Sequence, residues 1–211
     1  MWIGSRKGVL RYEVGAGAPA FIPQLKDVHV TSLYDDGSGL LVGTMQGLLR
    51  WDKNASSTPD RVLPDAQVHS LYKDGPVLLI STNGNGLFRL DATRQRQPES
   101  VNSPIGIIYR YVRNGPTLWM GAGMGVEAGL YRWNTETEEV PKRVAVVNTG
   151  YIHRFCPLGG TLWIGAQNGL FRINGLNTPW DDAQLQIIST VPETIYTGSN
   201  LLVQWKIGNF G

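Results

Sequence analysis

One segment returns five times along this chain, and no other feature constrains the fold as tightly. It reads Met1-Trp2-Ile3-Gly4-Ser5, then Gly8-Val9-Leu10-Arg11-Tyr12. The second copy is Leu40-Leu41-Val42-Gly43-Thr44, then Gly47-Leu48-Leu49-Arg50-Trp51-Asp52. The third runs from Leu78-Leu79-Ile80-Ser81-Thr82 to Gly86-Leu87-Phe88-Arg89-Leu90-Asp91. The fourth runs from Leu118-Trp119-Met120-Gly121-Ala122 to Gly129-Leu130-Tyr131-Arg132-Trp133-Asn134. The fifth runs from Leu162-Trp163-Ile164-Gly165-Ala166 to Gly169-Leu170-Phe171-Arg172-Ile173-Asn174. Between Trp2, Leu41, Leu79, Trp119 and Trp163 the spacings are 39, 38, 40 and 44 residues, the last lengthened by the loop Gly123 to Ala128. A partial sixth copy begins at Leu201-Leu202-Val203 and lacks the later Gly-Leu-x-Arg. A fixed period of this size means that one supersecondary unit is stacked on copies of itself, because a single unit cannot bury its own apolar faces.

A second element precedes the first. Val30-Thr31-Ser32-Leu33-Tyr34 leads to Asp36-Gly37, Val68-His69-Ser70-Leu71-Tyr72 to Asp74-Gly75, and Ile108-Tyr109-Arg110-Tyr111-Val112 to Asn114-Gly115. Ile152-His153-Arg154-Phe155-Cys156 leads to Gly159-Gly160, and Glu193-Thr194-Ile195-Tyr196 to Gly198-Ser199. Asp-Gly and Asn-Gly supply the positive φ of tight hairpins. Each period therefore gives strand a, a turn, strand b, a turn, and strand c. A fourth strand d is expected at Phe21-Ile22, Arg61-Val62-Leu63, Val144-Ala145-Val146-Val147 and Leu185-Gln186-Ile187-Ile188. Helical periodicity is absent from these segments. Four short strands in about 40 residues is the signature of a propeller blade.

The sequence thus predicts an all-β fold, a β-propeller of four-stranded antiparallel blades forming one domain over residues 1–211. Its repeats lie near 1–39, 40–77, 78–117, 118–161 and 162–200, with a partial one at 201–211. The first copy has no strand a before it, and an extra strand a follows the fifth. Five blades are expected, the N- and C-terminal strands completing one of them and removing the open edges. Composition agrees: 26 glycines and 7 tryptophans with only 17% charged residues suit turn-rich sheets rather than helical bundles.

The copies of Trp-Ile-Gly and Gly-Leu-x-Arg resemble the two-component regulator propeller repeat, whose pattern is Leu-Trp-Ile-Gly-Thr, a short variable stretch, then Gly-Leu-x-Arg-Tyr-Asp. Leu162 to Asn174 is close to a full match, and the resemblance covers almost the whole chain. It implies a sensor-type propeller of the extracytoplasmic kind often joined to histidine kinases, with oligosaccharides a frequent ligand theme.

Net charge is +2, and the basic residues are scattered, so no nucleic-acid partner is expected. No apolar run reaches the ~20 residues of a membrane helix. Met1-Trp2-Ile3-Gly4 carries no secretory pattern, so the sequence as it stands predicts a cytoplasmic location. Origin within a sensor-type precursor predicts a periplasmic or extracellular one. The single cysteine, Cys156, excludes a disulfide framework and, beside Phe155 and Pro157, reads as a small buried thiol.

Aligned strands a carry two adjacent polar columns between apolar flanks. One holds Thr31, His69, Tyr109, His153 and Glu193; the next holds Ser32, Ser70, Arg110, Arg154 and Thr194. Convergent polar groups on rigid strands build small-ligand sites. Thr31, His69, Tyr109, Arg110, His153, Arg154 and Glu193 are therefore the candidate ligand-binding residues, for a small molecule, a glycan or a protein partner at the channel mouth. No catalytic set, metal or cofactor is expected. The alternatives are a channel-mouth lyase or hydrolase using His69, His153 and Glu193, and a piece of a larger propeller that assembles as an oligomer. The repeated arginines Arg11, Arg50, Arg89, Arg132 and Arg172 recur in every copy, which marks them as structural, paired with carbonyls of the neighbouring blade. The repeated tryptophans Trp2, Trp119, Trp163, Trp51 and Trp133 read as core between blades.

Overall fold

The computed structural model describes residues 1–15, 17–53, 58–91, 97–101, 103, 105–123, 128–138, 140–144 and 149–174, and the backbone of 185–189. All regular structure among them is strand. The first sheet has three strands, β1 (Trp2–Ser5), β2 (Gly8–Arg11) and β3 (Ala20–Lys26). Four four-stranded sheets follow. They are β4 (Val30–Asp35), β5 (Gly39–Thr44), β6 (Gly47–Asp52) and β7 (Asp60–Pro64); then β8 (Val68–Asp74), β9 (Val77–Thr82), β10 (Leu87–Asp91) and β11 (Glu99–Val101). The next is β12 (Ile108–Asn114), β13 (Thr117–Ala122), β14 (Gly129–Asn134) and β15 (Lys142–Arg143), and the last is β16 (Ile152–Leu158), β17 (Thr161–Ala166), β18 (Gly169–Ile173) and β19 (Leu185–Ser189). In every sheet spatial order follows chain order, as in an up-and-down meander. The chain divides into two compact units, Met1–Tyr109 and Arg110–Gly211.

The expected strands a, b and c are all present where described. Strand d differs in two copies. The third copy, for which the sequence shows no clear strand d, has β11 at Glu99–Val101. In the fourth, the described pairing with β14 is made by Lys142–Arg143, just ahead of the expected run Val144 to Val147. Val144 continues that edge through its N–H to Leu130 O at 2.9 Å, and residues 145–148 lie outside the described residues. No described sheet closes on another. The segment expected to complete the first sheet, residues 193–196, lies outside the described residues, as do Trp180, Trp205 and residues 124–127 of the Gly123 to Ala128 loop.

Strand β5 is apolar on both faces because a sheet packs on each. Every residue of β5 is buried. Leu40 and Val42 join Val9, Leu25 and Trp51 in one core cluster, while Leu41 joins Leu48, Val68, Leu78 and Ile80 in the next. A strand buried on both faces reads as a continuous apolar run rather than an alternation. Trp119, Ile152, Leu162, Ile164 and Phe171 form the corresponding core of the second unit. Trp51, Trp119 and Trp133 are buried as expected for core, and Trp2 meets Trp51 edge-on with ring centres 5.9 Å apart.

The glycine that opens strand c is fixed by geometry. Gly47 has φ +135°, and a methyl group there would run into the carbonyl oxygen of Leu63 on β7. Gly8 repeats this against Leu25 O at φ +124°. Only glycine tolerates both demands.

Four of the repeated arginines pair with carboxylates, which corrects the expectation of carbonyl partners on the neighbouring blade. Arg50 pairs with Asp36 at 2.9 Å, Arg89 with Glu99 at 3.0 Å and Arg132 with Glu138 at 2.9 Å, each within its own sheet. Arg11 pairs with Glu13. A nearby carboxylate is a stronger partner for a guanidinium than a carbonyl is.

Candidate functional site

The two polar columns have a backbone cause. In β4 and β5, Val30 pairs with Thr44 and Ser32 with Gly43, so Thr31 is left over. In β8 and β9, Val68 pairs with Thr82 and Ser70 with Ser81, leaving His69. In β16 and β17, Ile152 pairs with Ala166 and Arg154 with Gly165, leaving His153. Each is a β-bulge, two residues facing one, which breaks the strict alternation of a strand and re-aims a side chain. Adjacent polar residues can then lie on one face. Thr31 Oγ1 and Ser32 Oγ both crowd the same point over Gly43. Tyr109 holds the matching position at the start of β12 by sequence. The sequence shows the polar pair; the bulge beneath it carries no residue signature.

Several of these groups spend a donor on the following strand a. In the first unit, Thr31 Oγ1 donates to Val68 O at 2.6 Å and Ser70 Oγ to Ile108 O at 2.8 Å. In the second, Arg110 Nε donates to His153 O at 2.9 Å. These bonds tie one strand a to the next. Ser32 Oγ is buried and has no hydrogen-bond partner among the described residues.

The rings remain. In the first unit, His69 and Tyr109 meet edge-on with centres 4.3 Å apart, both half-buried. In the second, Tyr151 lies tilted against His153 at 5.1 Å, with His153 and Arg154 exposed. The second unit therefore brings Arg110, His153, Arg154 and Tyr151 into one neighbourhood of donors and aromatic faces. Glu193, the remaining candidate, lies outside the described residues. Among the described residues no three His, Cys, Asp or Glu side chains group to hold a metal, and no helix is long and apolar enough to cross a membrane. Cys156 corrects its expectation: its thiol is exposed, on a strand whose residues from His153 to Leu158 are mostly exposed.

The shifted carboxylates lie at the sheet edges, away from the columns. Asp35 is held down to about 2 by Lys53, the Gly37 N–H and Trp2 Nε1, which donates at 2.7 Å. Burial pushes Asp36 up, yet hydrogen bonds from Gly39 N–H and Ser38 and the charge of Arg50 bring it below the usual range. Glu138 follows the same balance, with burial outweighed by Asn134 N–H, Lys142 and Arg132. These groups brace turns and strand ends.

No family profile matches the chain, and no curated protein matches it. Solved structures do. The extracellular domain of the hybrid two component system BT4673 from B. thetaiotaomicron is similar with a TM-score of 0.65 and 20% identity, over 92% of this chain and 26% of that one. That of the hybrid two component system BT3049 from the same organism gives 0.60 and 17%, over 88% of this chain and 26% of that one. YCF48 from Cyanidioschyzon merolae gives 0.59 and 13%, over 88% of this chain and 66% of that one. The chain thus spans 26% of the length of those sensor extracellular domains. YCF48 is a β-propeller. At such identities the likeness speaks for the fold alone, and it agrees with the meander sheets: this is a propeller type of chain.

Proposed function

We propose that this chain is a non-catalytic binding or sensing propeller of the two-component regulator type, working outside the cytoplasm. The observation that carries the reading is the repeated bulge, which sets a polar or aromatic side chain at the same position of β4, β8 and β16. Extracellular sensor domains among the similar structures support the same role. Its ligand is a small molecule or glycan: in the second unit the rings of His153 and Tyr151 offer faces beside the hydrogen-bond donors of Arg110 and Arg154. Aromatic faces beside a few placed polar groups are how sugar-sized ligands are oriented. The blade count of five, with residues 193–196 completing the first sheet, belongs to this proposal.

The test is thermal denaturation against a panel of oligosaccharides. Binding raises Tm in proportion to the logarithm of ligand concentration. A hit should be lost in His153→Ala and Arg154→Ala proteins that melt normally without ligand. A panel with no shift at millimolar concentrations, or a hit indifferent to both substitutions, refutes the reading.

A further inference from the structure

Ser70 and Arg110 hold the same place in successive strands a, and each ties its strand to the opening of the next. Ser70 Oγ donates to Ile108 O at 2.8 Å, and Arg110 Nε donates to His153 O at 2.9 Å. A neutral hydroxyl makes this tie in the first unit, so the tie itself needs no charge. The second unit makes it with a guanidinium, and Arg154, the next member of the column, repeats the guanidinium. Arg110 is half-buried and Arg154 exposed. The bond to a backbone carbonyl holds the Arg110 fork beside His153, one residue from Arg154. Two positive charges thus stand at the opening of β16, where the architecture asks only for a hydrogen-bond donor.

The neighbourhood suits a sugar ring. Tyr151 lies tilted against His153, with ring centres 5.1 Å apart. The turn after β17 holds this segment: Gln167 N donates to Tyr151 O at 2.8 Å and Asn168 N to Thr149 O at 3.2 Å. A methyl group on Gly150 would lie 3.0 Å from Gln167 Oε1 and 3.1 Å from Asn168 Nδ2, so both side-chain amides lie over the backbone just before Tyr151. Gln167 and Asn168 are themselves exposed. Strand ends and a hydrogen-bonded turn place all these groups, so little ordering is needed when a ligand arrives.

The described carboxylates of the second unit stand at the other end of its sheets. Glu136 and Glu138 lie in the turn after β14, whose last residue, Asn134, pairs with Thr117 at the start of β13. Arg113, near the far end of β12, donates to Thr135 Oγ1 in that turn at 2.9 Å. Glu138 is engaged there by Arg132 and by Asn134 N–H. Arg110 lies toward the opposite end of β12.

We infer that the opening of β16 is an anion subsite and that the ligand carries a carboxylate: a uronic acid or uronate oligosaccharide, its acid group on Arg110 and Arg154 and its ring against Tyr151. This rests on the binding reading above and narrows it from sugar to sugar acid. A guanidinium pairs with a carboxylate through charge-assisted bonds, which favours the acid over a neutral counterpart by about 10-fold or more. The experiment is thermal denaturation of the full chain against galacturonate, glucuronate and mannuronate oligomers, beside neutral oligosaccharides of matched length. A uronate should raise Tm, and its neutral counterpart should need about 10-fold more ligand or more for the same shift. Arg154→Ala should abolish that preference while melting normally alone. Arg61→Ala, which removes an exposed cation of the first unit, should keep it. Equal shifts from the two series, a preference that survives Arg154→Ala, or one lost equally in Arg61→Ala overturns the inference and leaves the binding reading standing. A sulfated sugar that raises Tm where no uronate does overturns the carboxylate assignment. No shift from any series refutes the binding reading, and this inference falls with it. Should Arg154→Ala fold poorly, salt decides on the unsubstituted chain: the uronate shift should shrink as ionic strength rises, and a shift indifferent to salt overturns the inference.

Discussion

Ser32 and Ser70 occupy the same column, yet the structure gives them opposite energetics. Ser70 Oγ satisfies the Ile108 carbonyl, whereas Ser32 Oγ is buried without a partner among the described residues. Removing Ser70 takes a hydrogen bond from that carbonyl and should cost about 1 kcal/mol, while Ser32→Ala removes an unsatisfied group and should be neutral or stabilising. Urea denaturation of the two alanine variants checks this; equal losses would contradict the hydrogen bonding described. Residue type was legible here and residue role was not, because the role depends on which carbonyl the next strand presents. The arginines make the same point. Their recurrence marked them as structural, but Asp36, Glu99 and Glu138 sit at three different places in their copies and form no column for the sequence to display.

At the scale of the element, the hairpins were the most legible part. The turn glycines and the continuous apolar runs follow directly from positive φ and from burial on both faces. Strand d was the least legible. Pairing there rests on backbone bonds to strand c, so Lys142–Arg143 serve although neither residue favours a strand. The Gly-Leu-x-Arg signature has its strongest constraint at its first letter. Gly47→Ala would force a side chain into a positive φ and against Leu63 O. The expected loss is about 2 kcal/mol or more, the sum of a strained backbone and an overpacked contact. Gly37 also has a positive φ, but no atom of the described residues lies within 4 Å of where its methyl group would stand. Gly37→Ala therefore meets strain without a clash and should cost less. Equilibrium unfolding of both variants ranks them, and the reverse order would show that contact does not govern this position.

At the scale of the whole molecule, the described carboxylates with shifted pKa values hold turns and strand ends. Asp35, Asp36 and Glu138 all have lowered pKa values when folded, Asp35 to about 2 from 3.8. A depressed carboxyl pKa means that the unfolded chain binds protons first. The stability these groups contribute is therefore complete above the unfolded pKa, and it drains away as pH falls through the folded one. Stability should be flat above about pH 5 and fall steadily toward pH 2. Asp35 also holds Lys53 and the indole N–H of Trp2, so its protonation loosens the junction of the first two sheets. Asp35→Asn should be less stable than the unsubstituted chain at pH 7 and close to it at pH 2, with a shallower slope between. Tm measured across that range tests it. Parallel profiles for the two proteins would mean that the Asp35 cluster, for all its hydrogen bonds, is screened by solvent to the level of an ordinary surface pair.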